Sequence, residues 1–181
     1  MARFNIALLP LDAKFQEAIA DLAQSHFKVM EDGYLLGKHA LAHITLCQFH
    51  APNEQAALNV FHLWPGRREL VLLLKRFNLR KGESEHAGKL WAEILIERNP
   101  DLLKQQEVCF QHLTQAGLEV LTPVKDYSPH LTLARIADTA VTVPSPDLPA
   151  QRSIAFRPSV GASTENGVFV KALLQEIQDA A

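Results

Sequence analysis

Two short stretches decide how this chain is read: Ala42-His43-Ile44-Thr45-Leu46 and Pro129-His130-Leu131-Thr132-Leu133. Each carries a histidine and a threonine two positions apart, with an aliphatic residue between them and a leucine after. On a β-strand, residues two apart share a face and stand about 6.6 Å from each other. His43 and Thr45 therefore face one way while Ile44 and Leu46 face the core, and His130 and Thr132 stand in front of Leu131 and Leu133 in the same manner. Each strand presents an imidazole and a hydroxyl on a surface stiffened by its apolar back. A third such tripeptide, His112-Leu113-Thr114, acts as a control. It falls in a predicted helix, where residues two apart are separated by about 200° around the axis, so its side chains cannot meet one ligand.

The flanking sequence supplies the frame. Residues 4–9 form a short apolar run ended by Pro10 and predict a buried strand. Asp12 is an N-cap candidate for a helix carrying Phe15, Ile19, Leu22, His26 and Phe27 at helical spacing, to about Met30. Gly33 and Gly37 punctuate a loop, and residues 41–49 predict the first motif strand. Asn53 caps a second helix that buries Ala57, Val60, Phe61 and Trp64 and stops at Pro65. Residues 69–79 and 90–97 predict a hairpin with a long polar loop. In its second strand Leu90, Ala92, Ile94 and Ile96 share one face, and Trp91, Glu93, Leu95 and Glu97 the other. Asn99-Pro100 opens a third helix with Leu103, Phe110 and Leu113 as its stripe, and Gly117 suits the position past its end. Residues 127–136 predict the second motif strand. After an irregular stretch with Pro144, Pro146 and Pro149, residues 154–160 and 168–174 predict a last hairpin. The final ten residues read equally as strand or helix. The order βαβαββαβββ predicts an α+β fold of largely antiparallel sheet with outer helices, as one domain over residues 1–181.

With 181 residues, 48% apolar and 21% charged, the chain can build a sizeable core, and bulk disorder is excluded. A net charge of −2 excludes the basic coat that binds long-duplex DNA by charge alone, but not a short or singly phosphorylated ligand. Cys47 and Cys109 are too few for a disulfide framework and fit a reducing cytoplasm as small buried hydrophobes. No run approaches the roughly 20 apolar residues of a membrane span, and the first residues lack a signal-peptide pattern. The expectation is a cytoplasmic monomer with no membrane partner.

Imidazole titrates near neutral pH, so one histidine can serve as base while the other serves as acid. Across a phosphate, one would activate the attacking oxygen and the other protonate the leaving oxygen. The two threonine hydroxyls can donate hydrogen bonds to the non-bridging oxygens. Side chains supply both functions, so no metal or other cofactor is expected. His39 and His43 lie four apart, a metal-ligand spacing on a helix, but this segment reads as strand and no carboxylate or cysteine completes a site. Tyr127 is a candidate for stacking on a base, and reads as well as half-buried packing. Lys75, Arg76, Arg80, Lys81 and Lys89 form either a solvated face or a cleft wall against an RNA backbone.

The twin motifs resemble those of the 2H phosphoesterase superfamily. The segment Tyr127-Ser128-Pro129-His130-Leu131-Thr132-Leu133-Ala134-Arg135 is similar to the second motif of the branch holding bacterial 2'-5' RNA ligases and RNA 2',3'-cyclic phosphodiesterases. The resemblance implies a two-lobed fold with pseudo-twofold symmetry, each lobe giving one motif strand to a central cleft. It implies His43 and His130 as the acid–base pair, Thr45 and Thr132 as phosphate-binding hydroxyls, and a phosphate contact from Arg135. Strict alternation puts Arg135 on the face opposite His130 unless a bulge brings it round, and the first motif has Gln48 at that offset. The implied partner is a nucleotide or RNA end bearing a 2',3'-cyclic phosphate, hydrolysed or joined to a 5'-hydroxyl. Two alternatives stay open: an RNA- or nucleotide-binding module without turnover, and a 2H enzyme for a 2'-5' oligoadenylate or an ADP-ribose cyclic phosphate.

Overall fold

The computed structural model describes residues 1–38, 40–122, 124–138, 143, 145–164 and 167–173. His39, Pro144 and residues 174–181, on which some expectations fell, lie outside this set. Among the described residues, eight strands and three α-helices follow in the order β1 (Ala2–Pro10), α1 (Ala13–Phe27), β2 (Glu31–Leu35), β3 (Ile44–Ala51), α2 (Glu54–Leu63), β4 (Leu70–Lys81), β5 (Lys89–Ile96), α3 (Pro100–Gln115), β6 (His130–Ala137), β7 (Ser153–Ser163) and β8 (Phe169–Ala172).

The helix ends follow local chemistry. Asp12, Asn53 and Asn99 each accept a backbone N–H of the first turn, from Lys14, Ala56 and Leu102. Pro100 occupies the first turn of α3. Gly117, at φ +74°, closes α3 with a paired turn: its N–H reaches Thr114 O, and the Leu118 N–H reaches Leu113 O. The buried face of α3 is Leu102, Gln105, Gln106, Cys109 and Leu113, while the predicted Leu103 and Phe110 pack only partly buried at its side. α1 ends at Phe27 rather than near Met30, because the chain turns directly into β2. That strand corrects the predicted loop over Gly33. Gly33 sits inside β2 at φ +81°, where the register with β6 shifts between Glu31 and Tyr34. Both motif strands begin later than predicted, so His43 and Tyr127 precede them.

All pairings between named strands are antiparallel. They run β1–β3, β3–β6, β6–β5, β5–β4, β4–β7 and β7–β1, and so close into a ring of six strands. β8 extends the ring beside β7, and β2 beside β6. Two halves emerge, β8-β7-β1-β3 and β4-β5-β6-β2. At one seam β7 serves both halves: Phe156 pairs with Pro10 of β1 and with Leu70 of β4. At the other seam the motif strands share a single pair, Ile44 with Leu131.

The helices tie the halves together by crossing over. α1 follows β1 in sequence but packs on β6 and β2 of the other half as well as on β1. Its Phe27 is fully buried and stacks on Phe77 of β4, with centroids 5.9 Å apart. α3 follows β5 yet packs on β3. One core cluster runs through both halves, and burying each such Phe, Leu or Ile contributes about 1.5–3 kcal/mol. Cys47 and Cys109 are free thiols within this core. Among the described residues no helix is long and apolar enough to cross a membrane.

Candidate active site

The two motif strands share a distortion that alternation alone does not show. Along β1 and β3 the register passes from Ala7–Thr45 to Ile6–Cys47, leaving Leu46 unpaired. Along β5 and β6 it passes from Glu93–Thr132 to Ala92–Ala134, leaving Leu133 unpaired. Both strands therefore bulge at the leucine that follows the threonine. A bulge resets the alternation, so Gln48 and Arg135 return to the side that carries the histidine and threonine of their own strand.

The imidazoles are held by matching hydrogen bonds. His43 Nδ1 lies 2.8 Å from Leu41 O and His130 Nδ1 lies 2.8 Å from Ser128 O, each a carbonyl two residues upstream. A carbonyl can only accept, so Nδ1 carries the proton in both rings. Nε2 is left as the nitrogen that exchanges protons with a ligand. Each threonine carbonyl is in turn held by a tyrosine from the other half of the sequence. Tyr127 Oη donates to Thr45 O at 2.8 Å, and Tyr34 Oη donates to Thr132 O at 3.4 Å. Burial pushes both phenols well above their ordinary range, so they stay protonated donors. Asn5 Nδ2 donates to Thr45 Oγ1 at 3.0 Å, which leaves the hydroxyl proton of Thr45 to be donated elsewhere.

His43, Thr45, His130, Thr132 and Tyr127 line one cleft of about 400 Å³, together with Tyr34, Gln48, Arg80 and Trp91. The structure thus brings five of the six expected site residues together. Arg135 is the one it does not. The bulge brings it to the motif face, but its Nε donates to Asp32 O at 2.7 Å and its Nη1 lies 3.3 Å from His86 Nδ1. Its guanidinium lies over the Trp91 ring, 5.5 Å from the centroid. Tyr127 is 7% exposed with its hydroxyl committed to Thr45, so packing rather than an open stacking platform describes its place.

The two imidazoles sit in unlike surroundings. His43 is 6% exposed, and its ring lies 5.3 Å from that of Phe169. Burial pushes it down to about 4, helped by the charge of His130 and opposed by hydrogen bonding to the Leu41 and Gly167 backbone. It is neutral across the physiological range. His130 is 30% exposed, and its Nε2 lies 3.8 Å from Glu93 Oε2. That carboxylate is buried, accepting from Asn78 Nδ2 on Oε1 at 2.9 Å and from Arg80 Nε on Oε2 at 3.2 Å. It stands where it can pair with the imidazolium when His130 carries a second proton.

Sequence reasoning missed Asn5, Tyr34 and Glu93 as parts of the site. Asn5 and Glu93 left a signal, since each is a polar side chain within an otherwise apolar strand. Tyr34 left none, because its partner lies 98 residues away.

Neither a family model nor a curated protein sequence matches the chain. Solved structures do match in shape. A crystal structure of a phosphoesterase superposes with a TM-score of 0.61 at 20% identity, covering 91% of this chain and 90% of that one. E. coli LigT complexed with 3'-AMP gives a TM-score of 0.61 at 20% identity, covering 90% and 88%. E. coli LigT complexed with NADP+ gives 0.61 at 18% identity, covering 94% and 93%. The chain shares the fold of E. coli LigT, with an eight-stranded antiparallel sheet and three helices among the described residues.

Proposed function

We propose that this protein is a metal-independent phosphoesterase acting on the 2',3'-cyclic phosphate of a nucleotide or RNA end. One observation carries this: two imidazoles with matching Nδ1 anchors line one cleft in opposite electrostatic settings. His43, neutral, is the base. Its Nε2 takes a proton from water as the water oxygen attacks phosphorus. His130, as imidazolium, is the acid. Its Nε2 gives a proton to the ribose oxygen as the P–O bond breaks in line with the attack. The Thr45 and Thr132 hydroxyls donate to the non-bridging oxygens, where charge shifts in the transition state. A 5'-hydroxyl in place of water would use the same pair and join two RNA ends. The solved structures of LigT with 3'-AMP and NADP+ support a nucleotide-sized ligand for this fold.

The test is incubation of the purified protein with 2',3'-cyclic nucleotides and with RNA bearing that end. Expected products are a 2'- or 3'-phosphate, or a joined strand. Turnover that survives loss of both His43 and His130 would refute the mechanism. Loss of turnover on chelation, restored by zinc or magnesium, would refute metal independence.

A further inference from the structure

We propose that Arg80, aimed by Glu93, is the cation that binds the reacting phosphate. This rests on the phosphoesterase reading of the cleft and adds a binding residue that the motif expectation gave to Arg135. Of the five cations between residues 75 and 89, Arg80 alone lines the cleft. It lies near the end of β4, paired across the hairpin with Trp91. Its Nε and the Nε2 of His130 approach the same oxygen, Glu93 Oε2, at 3.2 and 3.8 Å. The guanidinium therefore stands beside the nitrogen that would protonate the leaving oxygen. Nε is its one bonded nitrogen among the described residues, so the two Nη groups keep their donors for a ligand. That fork matches the spacing of two phosphate oxygens.

Charge balance points the same way. Glu93 is 1% exposed, and a buried carboxylate beside a phosphate anion would repel it. With Arg80 in place the pair is neutral, and protonated His130 gives the group one net positive charge facing the substrate. Glu93 is then a positioning residue, since it holds Arg80 and stands against the His130 ring without touching the phosphate. Arg135 has its Nε and Nη1 engaged with Asp32 and His86, away from the cleft lining.

The experiment is steady-state kinetics on a 2',3'-cyclic nucleotide with the full chain. Arg80→Met should lower kcat/KM by roughly a hundredfold, with Arg80→Lys recovering part of it. Arg135→Met should lose less than Arg80→Met. The decisive comparison is Arg80→Met against Arg80→Met with Glu93→Gln. Removing the buried carboxylate left without Arg80 should make the double variant about tenfold better than the single, a gain that lost packing would not produce. Circular dichroism checks that each variant is folded. Turnover of Arg80→Met near that of the unmodified protein, or a double variant no better than the single, overturns the proposal. If the unmodified protein turns over no cyclic phosphate, the phosphoesterase reading fails separately. Inorganic phosphate, followed through the histidine ring NMR signals, then tests Arg80. Binding that Arg80→Met abolishes supports the assignment. Binding that survives it, or that the unmodified protein lacks, overturns it.

Discussion

On the β1–β3 side of the cleft the histidine is buried and its strand faces Ala7, whereas on the β5–β6 side the histidine stands beside a carboxylate held by Arg80 of β4. The same frame underlies both. Each histidine is anchored through Nδ1 to a carbonyl two residues back, each strand bulges after its threonine, and each threonine carbonyl meets a tyrosine. The residues that differ sit at matching places. Opposite Thr45 stands Ala7; opposite Thr132 stands Glu93. Gln48 lines the cleft, while Arg135, its counterpart, turns to Asp32 and His86. A symmetric frame thus sets two imidazoles at equivalent points, and in the proposed mechanism a few unlike neighbours would divide the work of base and acid between them. Similarity of frame gives the geometry, and difference of neighbours would set the direction of proton flow.

Removing either ring should have the largest effect. His43→Ala and His130→Ala are each expected to lower kcat by about 10³- to 10⁴-fold. They should separate on an aryl nucleotide ester, whose leaving oxygen needs no proton. There His130→Ala should recover much of its rate and His43→Ala should not. Equal recovery would erase the division between the halves.

The next effect is on stability, and its sign follows from the direction of the His43 shift. In the unfolded chain His43 takes a proton near 6.5, but in the folded chain only near 4. Stability from this group is therefore complete above about pH 6.5, falls as pH drops, and is lost by about pH 4, a change of roughly 3 kcal/mol. Denaturant unfolding at pH 7 and pH 4.5 should show this slope, and His43→Asn should flatten it. The acid limb of kcat/KM should likewise lie near pH 4. A limb near 6.5 would mean that the first half is not the dry one.

Smaller changes test the hydroxyls. Thr45→Ala and Thr132→Ala should each lower kcat/KM by about tenfold to a hundredfold, less than either histidine. Smallest is loss of a phenol. Tyr127→Phe should cost about 1 kcal/mol in thermal or denaturant unfolding. Tyr34→Phe should cost less, because its bond is 3.4 Å against 2.8 Å. Equal costs would show that the two halves hold their motif strands with equal strength.

Much of this was legible from residue types at fixed spacing. The motif strands, three helix caps and the antiparallel α+β order follow from patterns that act over a few residues. What escaped depends on partners far away in sequence. The bulges at Leu46 and Leu133 leave no mark, since a leucine suits a plain strand there as well as a bulged one. β2 was hidden because Glu31, Asp32 and Gly33 resemble a loop, and only pairing with β6 makes them a strand. Glu93 shows in the sequence only as a polar residue on a strand face, because nothing nearby reveals that Arg80, Asn78 and His130 converge on it.

The crossed helices bear on how the chain is made. The apolar stripe of α1, with Phe15, Ile19, Ala23 and Phe27, is covered in part by β6, and β6 emerges from a ribosome about a hundred residues later. At 5–20 residues per second, that helix waits roughly 5–20 s for its sheet. The half that holds β1 and β3 also takes β7 and β8 from the end of the chain, so it is incomplete for most of synthesis. Both halves are complete only once β7 and β8, which follow the second motif strand, are also available. Trp64 and Trp91, one in each half, should therefore report a single coincident unfolding transition when each is the lone tryptophan.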